Sequence, residues 1–213
     1  MSAGNQVIST ISGEVIATNV TFEDYLEKYA ADFCELVEGN VIKMSPVSLR
    51  HNLVITYLLT LLGAYFEINP IGRVISQPFV MRMSAVNIAR EPDLFVVLDT
   101  NPGSLTSTYF EGPADICIEV VSPESIQRDH SDKLKEYQKG GVNEYWIIDP
   151  IHEECRFFRL NASGVYIAHK EDAAGNYSTS QLPGLLLHTS ILWQSQLPGP
   201  GAIYQAVQAM LKP

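Results

Sequence analysis

Hydrophobic residues recur at two spacings along this chain, and the spacing changes where Gly, Pro and Ser gather. After residue 20, Phe22, Tyr25, Leu26 and Tyr29 repeat at helical intervals behind Thr21, a good N-cap with Asp24 three residues on. Phe33–Val37 and Val41–Met44 then flank Glu38-Gly39-Asn40, the pattern of a hairpin, and Ser45-Pro46 stops the second strand. From Ser48 to about Phe66 the apolar positions Leu49, Leu53, Tyr57, Leu58, Leu61 and Leu62 predict the longest helix, closed by Asn69-Pro70-Ile71-Gly72. The period drops to two over Arg73–Met83, read as one strand, and Leu94–Leu98 is a short continuous apolar run. Asp99–Gly112 is rich in Pro, Gly, Ser and Thr and reads as a mobile loop.

A strand–helix–strand unit follows. Asp115–Val121 is apolar except for its acids, Ser131–Lys139 is a charged amphipathic helix stopped by Gly140-Gly141, and Glu144–Ile148 is the second strand. Past Asp149-Pro150, Cys155–Leu160 and Val165–His169 read as a hairpin and Tyr177–Gln181 as a further strand. Leu182–Leu185 is a turn, and Ile203–Leu211 a terminal helix. The order predicts an α/β or α+β fold with a mixed sheet, an N-terminal helix and hairpin, and a β-rich C-terminal extension. The expected division is a loosely ordered arm over 1–20, a single domain over 21–190, and a C-terminal tail and helix over 191–213.

Length adds little to this: 213 residues suit one domain with a sizeable core. The longest apolar stretch, Leu53–Phe66, is interrupted by Thr, Tyr and Gly and falls short of a membrane span. The first residues lack the basic start and apolar stretch of a secretory signal. Cys34, Cys117 and Cys155 are scattered without a CxxC pair, which points to free thiols in a reducing cytoplasm. A net charge of −10 argues against coating nucleic acid through the overall field, but leaves room for an acidic, metal-loaded site.

Glu119 stands alone among Ile and Val, where a carboxylate is costly without a partner. Asp93, after Pro92, opens the preceding strand, so the two acids can meet across neighbouring strands. Such a pair needs a proton or a divalent cation between its members, and hard oxygen ligands suit Mg²⁺ or Mn²⁺. The residues alone leave a second reading open, with Asp93 capping a strand and Glu119 paired to a basic side chain. His51 reads as a helix-start residue, Gln77 as a strand residue able to face the site, and Asp129 as a cap or a partner for Lys133 four residues on. No His is placed to activate Ser122, and no Gly-rich phosphate loop occurs. Tyr145 and Trp146 read as core and interface aromatics.

Taken together, Glu91-Pro92-Asp93, Ile118-Glu119-Val120-Val121-Ser122-Pro123 and the run Asp129, Lys133, Tyr137, Gly141-Val142-Asn143-Glu144-Tyr145-Trp146, Asp149-Pro150 carry a resemblance. So do Glu35-Leu36-Val37-Glu38-Gly39, Met44-Ser45-Pro46 and His51 upstream. The pattern resembles the Uma family of restriction endonucleases, within the PD-(D/E)XK nuclease superfamily. The resemblance implies a restriction-endonuclease-like mixed sheet flanked by helices, and a metal-dependent endonuclease hydrolysing DNA phosphodiester bonds. By the same resemblance Asp93, Glu119 and the Val120 main-chain carbonyl would hold Mg²⁺ or Mn²⁺, with Glu35 and His51 beside the site. The position two after Glu119, where the superfamily carries lysine, is Val121, and Lys133 from the following helix matches the family's replacement. Lys135 lies about 200° further round that helix. The alternative is a weakly active or inactive nuclease-like module for binding or interaction. Cutting both strands of a duplex leads to the expectation of a homodimer.

Overall fold

A computed structural model describes residues 14–44, 46–123 and 125–212. Residues 1–13 of the expected arm, and Ser45, expected to stop the second hairpin strand, lie outside them. The remainder of that arm is not loose. Glu14–Ala17 forms β1 and pairs antiparallel with the hairpin, because Val15 and its neighbours can satisfy their backbone on the open hairpin edge. Helix α1 (Phe22–Lys28) starts where the Thr21 hydroxyl accepts the Asp24 N–H at 3.1 Å. Strands β2 (Cys34–Val37) and β3 (Asn40–Lys43) are joined by Glu38 and Gly39, both at positive φ (49° and 79°), the turn whose twist matches a hairpin. Ser48 caps α2 (Leu49–Ile68) by accepting the His51 N–H.

The expected strand Arg73–Met83 is two strands in two sheets. β4 (Gly72–Ser76) ends before Gln77-Pro78, and β5 (Val80–Met83) begins after it. Proline has no N–H for a ladder, so the chain changes sheet there. β6 (Ile88–Arg90) and β7 (Leu94–Leu98) follow. The expected mobile loop Asp99–Gly112 instead holds β8 (Ser104–Leu105) and β9 (Tyr109–Glu111). The latter is pinned parallel to β5 by the fully buried Phe110. β10 (Ile116–Val120) leads through a π-helical turn, Arg128–Asp132, into α3 (Lys133–Gly140), which Gly141 ends in the left-handed conformation (φ 88°). β11 (Glu144–Asp149), β12 (Glu154–Leu160) and β13 (Tyr166–His169) complete the unit. The tail forms a small ribbon of β14 (Asn176–Ser178) and β15 (Leu186–His188), and α4 (Pro200–Leu211) starts three residues before its expected first residue, with proline at N1.

Two sheets carry the fold. The central one runs β13-β12-β11-β10-β7-β4, with β10 and β11 parallel across the α3 crossover and the other pairs antiparallel. The other runs β1-β3-β2-β6-β5-β9-β8. Period-two alternation divides the central strands between two cores. Leu94, Val96, Ile116, Ile118, Val120, Trp146 and Ile148 face α2, with α4 packed behind. Phe95, Val97, Cys117, Val121, Tyr145 and Ile147 face α3 and the second sheet. Strands buried on both faces read as unbroken apolar runs, which is why β7, β10 and β11 were legible. Trp146 is a core residue, packed edge-on against Phe157 and Tyr177.

Helix α2 corrects the expectation about membrane-spanning length. At 20 residues with mean hydropathy 1.2, it is long and apolar enough to cross a bilayer. Here Val54, Leu58, Leu61, Leu62 and Tyr65 are instead buried against the sheet and the tail.

Candidate functional site

Register brings the two predicted acids together. The β7–β10 ladder ends at Ile118 and Leu94, so Glu119 and Asp93 are the next residues past its end, and both line one cavity. The Val120 N–H donates to Asp93 Oδ2 at 2.7 Å, and Gln77, at the end of β4, donates through Nε2 to Oδ1 at 2.9 Å. His51, in the first turn of α2, places Nε2 3.1 Å from Oδ2. Burial opposes charge on His51, but the Asp93 carboxylate overcomes it and holds the imidazole above its ordinary pKa. Gln77, His51 and Asp93 thus form one hydrogen-bonded group on three elements. Of Val120, the N–H is the group that grips Asp93.

Glu119 points to the α3 face, with Cys117 and Val121. Val121 fills the core at the position where the sequence resemblance leads one to look for lysine, and the cation comes from α3. Lys133 Nζ lies 2.8 Å from Glu119 Oε1, 3.3 Å from Asp129 Oδ1 and 3.9 Å from Glu35 Oε1, and the residue is 2% exposed. The Tyr137 hydroxyl, one turn on, donates to the same Glu119 oxygen at 2.7 Å. Burial pushes Glu119 up to about 8, with Asp93, Asp129 and Glu35 adding to the rise and Lys133 only partly offsetting it. Burial works against the Lys133 charge too, yet Glu119, Glu35 and Asp129 hold its pKa above the usual lysine value. Asp129 therefore holds the lysine rather than capping the helix.

Glu35 stands beside Lys133 without lining the cavity. Its Oε2 accepts from Arg90 Nη1 at 2.5 Å, while Arg90 Nε and Nη2 bind Glu136 on α3. Against the cost of burial, Arg90, Lys133 and Arg128 bring Glu35 down to about 2. It anchors β2 and β6 to α3, behind Lys133. Sequence reasoning missed Arg90 and Glu136, whose pairing depends on non-local strand order, and Arg128.

A cavity of about 910 Å³ opens in front of these groups, lined by Asp93, Glu119, Lys133, Asp129, His51 and Gln77 among others. Among the described residues, no three His, Cys, Asp or Glu side chains form a ready-made cation site. The donor chemistry nevertheless suits a hard divalent cation. Asp93 and Glu119 line one cavity, Asp129 Oδ1 is buried there with the Lys133 ammonium at 3.3 Å and no further partner among the described residues, and burial with three nearby carboxylates raises Glu119, a cost that a bound cation would relieve.

The family model described as "Uma2: Putative restriction endonuclease" matches residues 22–189. The chain belongs to the Uma2 family. A solved structure from Anabaena variabilis, described as a "putative nuclease belonging to DUF820", is similar at a TM-score of 0.68 and 17% identity. The match covers 82% of this chain and 97% of that one. At that identity the likeness is one of fold. No curated protein matches the chain. Uma2 membership and a nuclease-like mixed α/β fold are therefore in hand, with the two acids and the lysine gathered at one end of the central sheet.

Proposed function

We propose that this Uma2 chain is a metal-dependent DNA endonuclease. The observation that carries the reading is the Lys133 ammonium 2.8 Å from Glu119, with Asp93 immediately before the neighbouring strand, all lining one cavity. Asp93, Glu119 and the Val120 carbonyl would hold Mg²⁺ or Mn²⁺. Such an ion, when bound, polarises a phosphoryl oxygen and makes water a better nucleophile.

The chain's own groups do the rest. Gln77, His51 and the Val120 N–H fix the orientation of the Asp93 carboxylate. Lys133, held between Glu119 and Asp129, keeps a positive charge where the phosphoryl group gains negative charge. Water's oxygen bonds to phosphorus, one ester oxygen leaves, and that oxygen takes up a proton. A duplex cut on both strands needs two such sites, which supports a homodimer. Three unpaired thiols, two of them buried, support a reducing cytoplasmic setting.

One observation favours a second reading, a weakly active binding module: both Asp93 oxygens are already engaged by protein donors. Plasmid cleavage with Mg²⁺ or Mn²⁺ separates the two. The nuclease reading expects nicking or linearisation by the wild type and its loss in Asp93→Ala and Lys133→Ala. Equal behaviour of all three proteins refutes it.

A further inference from the structure

The π-helical turn before α3 presents a third cation to the cavity. In an α-helix, residues five apart sit roughly 140° from one another. Here the Lys133 N–H bonds the Arg128 carbonyl, five residues back, so the wider turn brings Arg128 round towards the face of Lys133 and Asp129. All three line the cavity, with the hydroxyl-bearing Ser122 and Ser125.

Arg128 differs from its charged neighbours. Arg90 is locked to Glu35 and Glu136, and Lys133 to Glu119 and Asp129, in ion pairs that do not include Arg128. Arg128 is 8% exposed, and among the described residues its buried Nε has no hydrogen-bond partner. A buried guanidinium N–H without a partner is costly. An acid or a lysine can relieve such a cost by losing its charge, but arginine keeps its proton. The charge helps keep Glu35 ionised, yet the Arg128 Nε makes no hydrogen bond among the described residues, and the side chain lines an open cavity. Its planar fork suits a tetrahedral oxyanion, which it can grip through two N–H groups at once.

We propose that Arg128 is the substrate clamp of this site, binding a non-bridging oxygen of an internal DNA phosphodiester. The proposal rests on the nuclease reading for its choice of substrate, but its test does not require cleavage.

The probe is a fluorescein-labelled DNA duplex, with binding followed by anisotropy in chelator at low salt. Arg128→Met removes the charge and keeps an apolar stem, while Arg128→Lys keeps a point charge. The expected results are affinity weakened roughly 10- to 100-fold in R128M and an intermediate loss in R128K. The slope of log affinity against log salt should fall by about one in R128M. In duplexes carrying single neutral methylphosphonates, one position should weaken the wild type and leave R128M unmoved. R128M should also melt no lower than the wild type. Wild-type affinity in R128M, equal methylphosphonate losses in both proteins, no binding by the wild type, or an R128M that melts well below it would each overturn the clamp. Binding that depends on Arg128 in a protein that never cuts plasmid would sustain the clamp and refute the nuclease reading.

Discussion

Glu119 is held in a position that costs the fold stability, and replacing it by its neutral isostere should make the protein more stable. The Glu119→Gln amide oxygen can still accept from Tyr137 and Lys133, and Asp129 remains 3.3 Å from that lysine. What disappears is a buried carboxyl whose pKa rises from an ordinary 4.5 to about 8. The folded state therefore binds this proton more tightly than the unfolded chain does. The native carboxyl is protonated and harmless below about pH 4.5, and its penalty grows as pH rises towards 8. At about 1.4 kcal/mol per pH unit, the full window is worth about 5 kcal/mol, and the interval from pH 5.5 to 7.5 about 3 kcal/mol. Lys133 is protonated in both states across this range and adds no slope. The assay is urea unfolding in chelator at several pH values, followed by the fluorescence of buried Trp146 and of Trp193. The stability difference between Glu119→Gln and wild type should widen in favour of the variant up to about pH 8. A difference that is flat with pH, or a variant less stable at pH 8, would refute the account of the site's electrostatics.

Three other outcomes follow from the same geometry. Saturating Mn²⁺, a hundredfold above its Kd, should stabilise the wild type by about 3 kcal/mol and leave an Asp93→Asn, Glu119→Gln double variant unmoved in thermal melts. Arg90→Met should cost about 3–5 kcal/mol in denaturant unfolding, because it strands the fully buried Glu35 without its partner. Glu144→Ala should cost about 3–5 kcal/mol and flatten the near-ultraviolet dichroism of Trp146. It leaves the Trp146 N–H and the Tyr177 and Thr179 hydroxyls without the acceptor that ties β11 to the tail.

Much of this protein could be read from residues in order. The long helix, the β2–β3 hairpin and the β10–α3–β11 unit follow from local periods and turn chemistry, because burial against a sheet imposes spacing on sequence. Asp93, Glu119 and Lys133 were legible as a set because an acid in an apolar strand signals itself, and because the family pattern ties it to the other two. What local sequence could not carry was whatever depends on which strands become neighbours. The break at Gln77-Pro78 sends β4 and β5 into different sheets, and Phe110 turns an apparent loop into a sheet edge. Glu35 was expected beside the site and lies 3.9 Å from the Lys133 ammonium, but its pairing with Arg90, 55 residues away, depended on strand order. Arg128 stayed hidden because a helical wheel sets it off the face of Lys133, and only the wider π-turn brings the two together. The sequence by itself determined the elements and the chemical identity of the acids and the lysine. The tertiary structure decided which charges neutralise one another and which is left to face the cavity, because Coulomb energy depends on distance in space rather than along the chain.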